Sequence, residues 1–398
     1  MKSINNFNIS GKKVIIRADL NVPFSNGQIT DDTRILHLKK TIKQLIKKNN
    51  KIFLISHFGR PTKKFQKELS LKFLVPVLKK KLMVQKVHFL KSFDNKKIKN
   101  TLSKLQKNQI CLFENIRFNK EEENNNLNFA KKIANNFDIY VNEAFSASHR
   151  KHASVSAITR FLPSYAGIEL SNEIHNLNNL FSRKIKPSVF IIGGSKISTK
   201  LALLNNLVKI SDTLIIVGAM ANTFLFYKGF DIGNSLVEKK FIKEVKKIFY
   251  KAKKYKTKIL IPTDAVCAFN LDDKKNIDLT NVNQIESNKM ILDIGNKTIN
   301  LIKKSIKNAK LIVWNGPPGA FEYKAFSTGT KKLIQIIKGF KNSKKIIIAG
   351  GGDTVAAIKM SKATKSFTYI STAGGAFLEW LEGKKLPGIK ALEENKRF

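Results

Sequence analysis

Residues 346–358 read IIIAGGGDTVAAI, and this stretch decides the fold class. Its β-branched opening is typical of a buried strand, and the apolar pattern at its end is typical of a helix. The glycines between them, Gly350, Gly351 and Gly352, allow the backbone to approach a ligand closely. Because the N-terminus of a helix presents free N–H groups, the stretch predicts a strand, an anion-binding turn and a helix.

The turn indicates a phosphate without identifying the molecule that carries it. No Lys-Ser/Thr pair follows the glycines, as a Walker A loop requires, and their spacing is not G-x-G-x-x-G. The identity of the ligand therefore depends on residues elsewhere in the chain.

The alternation of strand and helix recurs along all 398 residues, a length that fits two domains. This alternation predicts parallel sheets with helices on their faces. We therefore predict an α/β protein with two doubly wound parallel-sheet (Rossmann-like) domains joined by a hinge helix, and with ligands at the carboxyl ends of the strands. The predicted strands are KKVIIRADL, KIFLIS, KVHFL, QICLF and DIYVNEAF in the first half, and KPSVFIIGG, SDTLIIVGA, TKILIPTDA, AKLIVWNGP and KKIIIAGGG in the second.

The connection between the predicted domains lies in ELSNEIHNLNNLFSRKIKP, which has a helical pattern ended by Pro187. We predict a first domain at 1–170, an inter-domain helix at 171–186, a second domain at 187–378 and a C-terminal segment at 379–398. Within the first domain, an apolar stripe at helical spacing predicts a helix that follows the candidate caps Asp31 and Asp32. The stripe consists of Ile35, Leu38, Ile42 and Leu45.

The charge of the chain is strongly positive, with 73 Lys+Arg against 29 Asp+Glu and a formal net charge of +44. Such a balance by itself favours nucleic acid or another polyanion as a partner. The lysines, however, are spread through nearly every segment, and Asn, Ile and Phe are also frequent. We therefore favour a solvated basic surface produced by compositional drift, with nucleic-acid binding as the alternative.

The two cysteines, Cys111 and Cys267, both lie in apolar strand-like runs. Buried thiols in a reducing compartment are expected, rather than a disulfide framework or a metal cluster. The first ten residues, MKSINNFNIS, lack an apolar signal core, and no apolar stretch has the length needed to cross a bilayer. We expect a cytoplasmic protein.

Arginine is rare in this lysine-rich chain, which makes its positions informative. Four arginines follow a predicted strand or open a helix: Arg34, Arg60, Arg117 and Arg150. A planar guanidinium binds carboxylate or phosphate through two parallel hydrogen bonds, which lysine does not reproduce. Together with His57 in ISHFGRP, the four arginines favour a small anionic ligand, although ordinary surface ion pairs remain the alternative for each of them.

Other polar residues surround these arginines in the sequence. Asp19 and Asn21 in RADLNVPF follow a strand end, where they either neutralise the arginines or hydrogen-bond a substrate hydroxyl. His149 and His152 flank Arg150, and they either act on the ligand or position the loop.

Ten stretches in order identify the chain as similar to a known family. VIIRADLNVP, SHFGRP, FENIRF, NEAFSASHRKHAS, GGSKISTK, DTLIIVGAMANTFL, LDIGNKT, VWNGPPGAFE, AGGGDT and STAGGAFLEWLEGKKLPG resemble the phosphoglycerate kinase family, particularly its bacterial members. The match runs from about residue 4 to the C-terminus. Ten ordered motifs are far more specific than a single glycine turn.

The resemblance implies a monomeric two-domain hinge enzyme of glycolysis that needs Mg²⁺. Its reaction is the reversible transfer of a phosphoryl group from 1,3-bisphosphoglycerate to ADP, which gives 3-phosphoglycerate and ATP. It also implies that the segment 379–398 packs back on the first domain. Seven residues are implied to hold the phosphoglycerate: Asp19, Asn21, Arg34, His57, Arg60, Arg117 and Arg150.

The resemblance also assigns nucleotide-binding residues in the second domain. Gly351, Gly352, Asp353 and Thr354 are implied to cradle the nucleotide phosphates, with Asp353 holding Mg²⁺ directly or through water. Glu322 is implied to hydrogen-bond the nucleotide ribose. From the start of the helix after GGSK, two lysines one helical turn apart are implied to reach the phosphates: Lys196 and Lys200.

Three positions depart from the pattern of the family. Ala219 stands for a glycine of the GGGMA turn, Asn296 for the proline of GPKT, and Ala373 for a glycine of TGGGA. Alanine is strained at positive φ where glycine is not. We therefore expect Ala219 and Ala373, which border the implied nucleotide site, to affect turnover and nucleotide affinity.

The implied chemistry agrees with the available side chains. A carboxylate acceptor is already ionised at neutral pH, so no general base is needed. The charge of a loose phosphoryl transition state is neutralised by Arg34, Lys200, the metal and the glycine-rich helix starts at Gly352 and Gly374. Domain closure then brings the reactants together and excludes water. The alternatives are an ATP-dependent kinase for another small acid, and a basic nucleic-acid-binding protein.

Overall fold

A computed structural model describes residues 1–25, 27–182, 185–371 and 373–395. The chain forms two compact units. The first contains Met1–Leu177 and the described residues from Lys385 onward, and the second is Asn178–Lys384. Part of the predicted inter-domain helix, 183–184, and the last residues of the predicted C-terminal segment, 396–398, lie outside the described residues.

The first unit alternates strands and helices along the chain. Its elements are β1 (Lys13–Arg17), β2 (Phe24–Ser25), β3 (Gln28–Ile29), α1 (Thr33–Lys47), β4 (Lys51–Ile55), α2 (Leu74–Leu82), β5 (Lys86–Leu90), α3 (Asn95–Lys104), β6 (Gln109–Phe113), α4 (Lys120–Glu123), α5 (Leu127–Ala134), β7 (Ile139–Asn142), β8 (Ser164–Ala166) and the start of α6 (Ile168–Ser182).

The sheet of the first unit has the order β5-β6-β4-β1-β7-β8, and all its strand pairs are parallel. Its central strands are apolar and buried, as expected for strands covered on both faces. The predicted stripe on α1 is confirmed, since Ile35, Leu38, Ile42 and Leu45 are all buried. The five strands predicted in this half are confirmed, and their carboxyl ends meet at one edge of the sheet.

The beginning of α1 shows which aspartate caps it. Asp31 Oδ1 accepts hydrogen bonds from the Thr33 N–H at 3.0 Å and from the Thr33 hydroxyl at 2.5 Å. Asp32 occupies the cap position itself but makes no side-chain capping bond. The first turn of α1 is therefore anchored by Asp31, with Arg34 directly after it.

The described residues of the second unit form nine further strands and most of the remaining helices. Its elements are β9 (Ser188–Ile192), α7 (Leu201–Ile210), β10 (Thr213–Ile216), α8 (Met220–Tyr227), α9 (Ile242–Tyr255), β11 (Lys258–Leu260), β12 (Asp264–Ala268), β13 (Asp278–Asn281), β14 (Met290–Ile294), α10 (Asn296–Lys307), β15 (Leu311–Asn315), α11 (Thr328–Lys338), β16 (Ile346–Gly350), α12 (Gly352–Met360), β17 (Tyr369–Ser371) and α13 (Gly375–Leu381).

Two sheets form in the second unit. The larger is fully parallel, with the order β11-β10-β9-β15-β16-β17, and the smaller is antiparallel, with the order β13-β12-β14. The prediction of two parallel α/β sheets is confirmed, but the antiparallel sheet was not predicted. The stretch TKILIPTDA, predicted as one strand, contains the whole of β11 and only the start of β12. Pro262 lies between them, where its missing N–H interrupts sheet pairing.

The last described helix, α14 (Pro387–Glu393), belongs to the first unit. The Gly388 N–H donates to the Ser148 carbonyl at 2.8 Å, and Asn395 Oδ1 accepts from the Ser164 N–H at 3.0 Å. The predicted return to the first domain begins at residue 379, whereas the structure keeps residues up to Lys384 in the second unit. Leu381 explains the difference because it ends α13, where its carbonyl accepts from the Asn206 side chain at 2.8 Å.

Both cysteines are free and buried, as predicted, with Cys111 in β6 and Cys267 in β12. Burial raises the pKa of the Cys267 thiol to about 11. Across the described ranges, we find no helix that combines the length and the apolar character of a membrane span.

Candidate active site

The first candidate cluster lies at the carboxyl ends of the strands of the first unit. Asp19 and Asn21 follow β1, His57 and Arg60 follow β4, Arg117 follows β6, and Arg150 comes after β7. Arg34 joins them from the first turn of α1. Because these strands are parallel neighbours, residues far apart in sequence are collected at the same sheet edge.

Asp19 holds Arg34 in this cluster. Arg34 Nη1 donates to Asp19 Oδ1 and to the Asn21 carbonyl, both at 3.0 Å. The second oxygen of Asp19 accepts from the Ser146 hydroxyl at 2.6 Å. The guanidinium of Arg34 is therefore fixed by an ion pair and a backbone carbonyl, with 23% of its side chain exposed.

Gly59, in the loop after β4, is held from two sides. Asn21 Oδ1 accepts from the Gly59 N–H at 3.0 Å, and Arg117 Nη1 donates to the Gly59 carbonyl at 2.8 Å. Arg117 Nε lies 3.3 Å from Glu123 Oε1. Asn21 and Arg117 are thus brought together through this loop.

His57 is buried beside a second buried residue, Arg17, whose side chain is 1% exposed. Arg17 Nη2 lies 2.9 Å from His57 Nδ1. Because a guanidinium only donates, Nδ1 accepts this bond, and the proton of the neutral imidazole is on Nε2. Burial, together with the charges of Arg17, Arg117 and Arg34, lowers the pKa of His57 well below its ordinary value. His57 is therefore a neutral hydrogen-bond donor near neutral pH.

Arg17 is itself fixed by a buried network to which the sequence analysis assigned no role. Its Nε donates to the Ser154 hydroxyl at 3.0 Å, and that hydroxyl donates to Glu122 Oε1 at 2.6 Å. The Ser154 N–H donates to the other oxygen of Glu122 at 2.8 Å. Burial raises the pKa of Glu122, and the charge of Arg17 opposes that rise. The signal in the sequence was an arginine at the end of the apolar run VIIR.

The other predicted residues of this edge have different environments. Arg60 and Arg150 are exposed, and neither side chain hydrogen-bonds or ion-pairs within the part of the chain that the structure describes. His152 Nδ1 lies 3.7 Å from Glu122 Oε1. Burial, with the nearby arginines, lowers the pKa of His152 to about 4, so it too is neutral at physiological pH. The structure thus holds Arg34 and Arg117 by contacts with Asp19 and with the Gly59 carbonyl, and it leaves Arg60 and Arg150 exposed.

The second candidate cluster is centred on the quoted stretch, in the second unit. β16 ends at Gly350, and α12 starts after Gly351, whose φ of +94° lies in the region that favours glycine. A Cβ at Gly351 would lie 2.6 Å from Asn315 Nδ2. Thr354 is buried, and its hydroxyl accepts from the Gly316 N–H at 2.7 Å. The predicted strand, glycine turn and helix are therefore confirmed.

Lys200 lies directly before α7 and is held by Asn315. Its Nζ donates to Asn315 Oδ1 at 2.5 Å, and Asn315 Nδ2 donates to the Gly350 carbonyl at 2.7 Å. Burial lowers the pKa of Lys200 to about 8, against the opposing effect of the Asp353 charge. Asn315 therefore orients both the lysine and the glycine turn. The sequence analysis quoted it in VWNGPPGAFE without giving it a role.

The placement of Lys196 in the helix after GGSK was wrong. That helix, α7, begins only at Leu201, and Lys196 is an exposed residue of the preceding loop. Glu238 explains the difference, because it accepts from the Ser198 N–H at 3.0 Å and from the Ser198 hydroxyl at 2.8 Å. The loop is held by this carboxylate instead of by helical hydrogen bonds.

The expected strain at the two alanines was also wrong. Ala219 has φ −62°, and the positive φ in its turn belongs to Gly218 at +69°. Likewise, Ala373 is described and does not have a positive φ, and the positive φ beside it belongs to Gly374, at +48°. Asn296 is the first residue of α10, and its Oδ1 accepts from Lys332 Nζ at 2.6 Å. A side chain is accommodated at these positions without backbone strain.

The glycines of the second cluster fall into two kinds. A Cβ at Gly316 would lie 2.2 Å from the Gly193 carbonyl oxygen, so these two backbones pack in direct contact. Around Gly352 and Gly374, by contrast, a Cβ would meet no described atom within 4 Å. Gly352 begins α12 and Gly374 precedes α13. Both helix starts are therefore open to a ligand.

Glu322 lies in the loop between β15 and α11, and it is exposed. Asp293 at the end of β14 supports this loop, since a Cβ at Gly319 would lie 2.3 Å from Asp293 Oδ1. Asp293 Oδ2 accepts from the Gly329 N–H in the first turn of α11 at 2.7 Å. Within the described ranges, no hydrogen bond joins Glu322 to Lys200 or to the glycine turn.

The second cluster suits a metal ion that is held partly by the protein and partly by the phosphates of a bound ligand. Asp353 is exposed in the first turn of α12. The described residues contain no group of three or more His, Cys, Asp or Glu side chains able to hold a metal ion. One carboxylate beside an anion-binding turn fits Mg²⁺, which is commonly held by one or two carboxylates, by phosphates and by water.

Comparison with known proteins gives a consistent result. A family model described as Phosphoglycerate kinase matches residues 4–384. Phosphoglycerate kinase of Brucella abortus biovar 1 (strain 9-941) is 42% identical over 394 residues, 99% of each chain. The enzyme of Rhizobium meliloti (strain 1021) is 41% identical over 387 residues, 97% of each chain. The solved phosphoglycerate kinase structure from Coxiella burnetii is similar with a TM-score of 0.89 and 39% identity, covering 99% of both chains.

Proposed function

This chain belongs to the phosphoglycerate kinase family, and we propose that its first unit binds the phosphoglycerate while its second unit binds the nucleotide. The resemblance predicted from the ten ordered stretches is confirmed. The chain is therefore an enzyme of glycolysis, a kinase that transfers a phosphoryl group between 1,3-bisphosphoglycerate and ADP. The assignment of individual residues to this reaction is our proposal.

The first cluster is the proposed phosphoglycerate site. Arg34 and the neutral His57 bind the substrate from positions fixed by Asp19 and Arg17. Arg117, which is fixed by its bond to the Gly59 carbonyl, donates to the substrate beside them. Arg60 and Arg150 supply exposed guanidinium groups. The full proposed set is Asp19, Asn21, Arg34, His57, Arg60, Arg117 and Arg150.

The second cluster is the proposed nucleotide site. Gly351, Gly352 and Thr354 present the start of α12 to the phosphates, and Lys200 approaches them from the end of the loop before α7. Asp353 would hold Mg²⁺, which neutralises phosphate charge when bound. The proposal also includes Lys196, Glu322 and Gly374, each of them at an exposed or open position.

The proposed chemistry is electrostatic stabilisation without a general base. The acceptor oxygen belongs to a carboxylate, which carries no proton at neutral pH. The low pKa of His57 and that of His152 support this proposal, because both imidazoles are weak bases and Nδ1 of His57 already accepts from Arg17. Arg34 and Lys200, with the helix starts at Gly352 and Gly374, neutralise the charge that develops on the transferring group.

Two further parts of the proposal concern the whole molecule. Since donor and acceptor are bound by different units, transfer requires a closed state in which they are aligned and water is excluded. We also propose a cytoplasmic monomer. Light scattering of the purified chain across a range of concentrations tests the monomer, since a mass near twice 45.0 kDa would contradict it.

The observation that supports the proposed division of labour is that each parallel sheet has its own cluster of cationic side chains or open helix starts at the carboxyl ends of its strands. We expect ATP formation from 1,3-bisphosphoglycerate and ADP with Mg²⁺, and loss of that activity when EDTA removes the metal. A panel of other small acids in the reverse, ATP-consuming assay serves as the specificity control. Turnover of another acid at a comparable kcat/KM would contradict the substrate assignment.

The alternatives are not favoured by the comparisons. The family match spans residues 4–384, so the kinase family accounts for nearly all of the given sequence. Retention on heparin should therefore disappear steeply with added salt, as expected for unspecific charge. Binding to DNA that persists above physiological salt would support a second role for the +44 charge.

Asp353→Ala is expected to weaken the affinity for Mg-ATP about tenfold, because one carboxylate ligand of the cation is lost. The affinity for 3-phosphoglycerate should stay unchanged, because the proposed site for it is in the other unit. Calorimetric titration of the full-length chain with each ligand measures both. Asp272→Ala, at an exposed aspartate of the second unit, is the matched control. Equal losses for the two ligands would contradict the proposed division.

Gly352→Ala tests whether the start of α12 contacts phosphate. The added methyl group meets no protein atom within 4 Å, so the free energy of unfolding should change by no more than about 1 kcal/mol. The same methyl group would stand where a phosphate approaches, and ADP affinity should fall about tenfold. Denaturant unfolding and ADP titration give the two values. Gly339→Ala, at the end of α11, is the control for replacing a glycine at a helix terminus. An unchanged ADP affinity in Gly352→Ala would show that the turn before α12 does not contact phosphate.

A further inference from the structure

A second concave site lies in the first unit, beside the proposed phosphoglycerate site but formed by other residues. Its volume is about 1500 Å³, within the described chain. Its walls come from the loop after β4 and the start of α2, from the ends of β5 and β6, and from β2, α4 and α5. None of the residues proposed to bind phosphoglycerate lines it.

Phenylalanine dominates the lining of this pocket, which we call the phenylalanine pocket. Seven of the 28 phenylalanines of the chain line it: Phe24, Phe65, Phe73, Phe89, Phe93, Phe118 and Phe129. Their rings form three neighbouring pairs, with centroid separations of 4.6 Å for Phe24–Phe73, 5.3 Å for Phe65–Phe118 and 5.7 Å for Phe93–Phe129. Phe24 and Phe65 remain 42% and 59% exposed despite these ring contacts, which leaves apolar surface in water at a cost in free energy.

Lysine is the most frequent polar residue in the lining of the phenylalanine pocket. Five exposed lysines lie around it: Lys64, Lys67, Lys72, Lys91 and Lys132. Among the residues that the structure describes, no acceptor hydrogen-bonds or ion-pairs with any of these five ammonium groups. Positive charge at the rim is therefore available to a ligand.

The carboxylates of the pocket are mostly occupied by local donors. Glu114 accepts from the Ser70 hydroxyl at 2.7 Å and from the Leu71 N–H at 2.9 Å. Asp94 caps α3 by accepting from the Lys97 N–H at 3.0 Å. Glu68 accepts from the Gln66 side chain at 3.2 Å, which leaves Glu121 as the remaining carboxylate of the lining. A carboxylate that accepts from neutral donors keeps its charge, so the lining carries five lysines against four carboxylates, a net charge of +1. Among the described residues, the five lysines and Glu121 are the charged groups of the lining without a partner, so the unpartnered groups are mostly cationic.

We propose that the phenylalanine pocket binds a small amphipathic organic anion with an aromatic body. The paired rings supply the apolar faces on which such a body stacks, and the rim lysines bind its carboxylate or sulfonate. The concave shape of the pocket favours a small molecule, since ligand pockets are concave and largely aromatic or apolar. The pocket is separate from the reaction, so its occupant is neither the phosphoglycerate nor the nucleotide.

The fluorescent probe 8-anilinonaphthalene-1-sulfonate has this chemistry and reports its own binding to the intact protein. We expect one site per chain that saturating ATP and 3-phosphoglycerate do not displace. The double variant Phe24→Ala/Phe65→Ala should bind the probe at least about tenfold more weakly, because two stacking faces are lost. Phe7→Ala, at a ring that is 39% exposed and packs on Tyr165, is the matched control and should bind like the parent.

The charge of the ligand is tested by a second pair of measurements. N-phenyl-1-naphthylamine, which lacks the sulfonate, should bind at least about tenfold more weakly than the probe. Lys91→Gln/Lys132→Gln should weaken the probe and leave this neutral analogue unchanged, whereas Lys96→Gln on α3 should change neither. Displacement by either substrate, equal binding of the two dyes, or unaltered binding in the phenylalanine double variant would overturn the proposal. An unchanged kcat shows that a variant is still folded, so weaker probe binding in that variant reports loss of the pocket alone.

Discussion

Replacing Arg34 with alanine is expected to lower kcat about a hundredfold or more, while KM for 3-phosphoglycerate rises far less. The proposed role of Arg34 is to neutralise charge that develops on the transferring phosphoryl group. Loss of an interaction that is made only in the transition state lowers kcat and leaves ground-state binding, reported by KM, nearly unchanged. Removing one preorganised donor of this kind costs on the order of 3 kcal/mol. Asp19 and the Asn21 carbonyl already hold the guanidinium in place, so little reorganisation is needed at the moment of transfer.

Arg34→Lys should recover only part of the lost activity. Lysine keeps the charge but lacks the planar fork that binds two oxygens at once and that pairs with Asp19 here. Lys43→Ala, at an exposed residue of the same helix, is the control for removing a basic side chain from α1. An ordinary surface pair would give a penalty within roughly 1 kcal/mol. Steady-state kinetics of the three variants decides between these cases, and an unchanged kcat for Arg34→Ala would exclude the catalytic role.

Lys200→Met is expected to lower kcat by several hundredfold, or about 3–4 kcal/mol. Methionine keeps the length and the packing of the side chain but removes the ammonium group. The hydrogen bond to Asn315 is lost as well, and with it one of the two contacts by which that amide is held. Lys209→Met, at an exposed lysine in the last turn of α7, should behave like the parent enzyme. Rapid-quench measurement of a single turnover would show whether the loss lies in phosphoryl transfer.

The pH dependence of activity provides an independent test of Lys200. Burial lowers the pKa of this lysine to about 8, so the free enzyme loses the charge as pH rises through that value. We therefore expect kcat/KM for the nucleotide to fall about tenfold per pH unit above pH 8, and to be constant below it. Asp353→Asn removes a charge that raises this pKa, so the decline should move to lower pH. A profile that stays flat beyond pH 9 in the parent enzyme would contradict the role of a charged Lys200.

Much of the fold was predictable from the sequence because its signals are local. Apolar runs, helical stripes and glycine breaks lie within a few residues of one another, and the stretch 346–358 became β16, its turn and α12 as predicted. Strands of only three residues, such as β8 and β17, are too short to show a period. The antiparallel sheet that contains β12 depends on pairing with later strands, which local periodicity does not encode.

The candidate site also has a part that was predictable from the sequence and a part that only the folded chain determines. The sequence already contained residue types that bind anions, placed after predicted strands or at the start of predicted helices. These were Arg34, His57 and the glycines of the turn. The folded chain alone decided that Arg17 contacts His57 across 40 positions and that Lys200 contacts Asn315 across 115. The tautomer of His57 and the lowered pKa of Lys200 follow from those contacts and from burial. Such contacts are set by the order of strands in the sheets, because parallel strands that are distant in sequence share a carboxyl edge only after the sheet has formed.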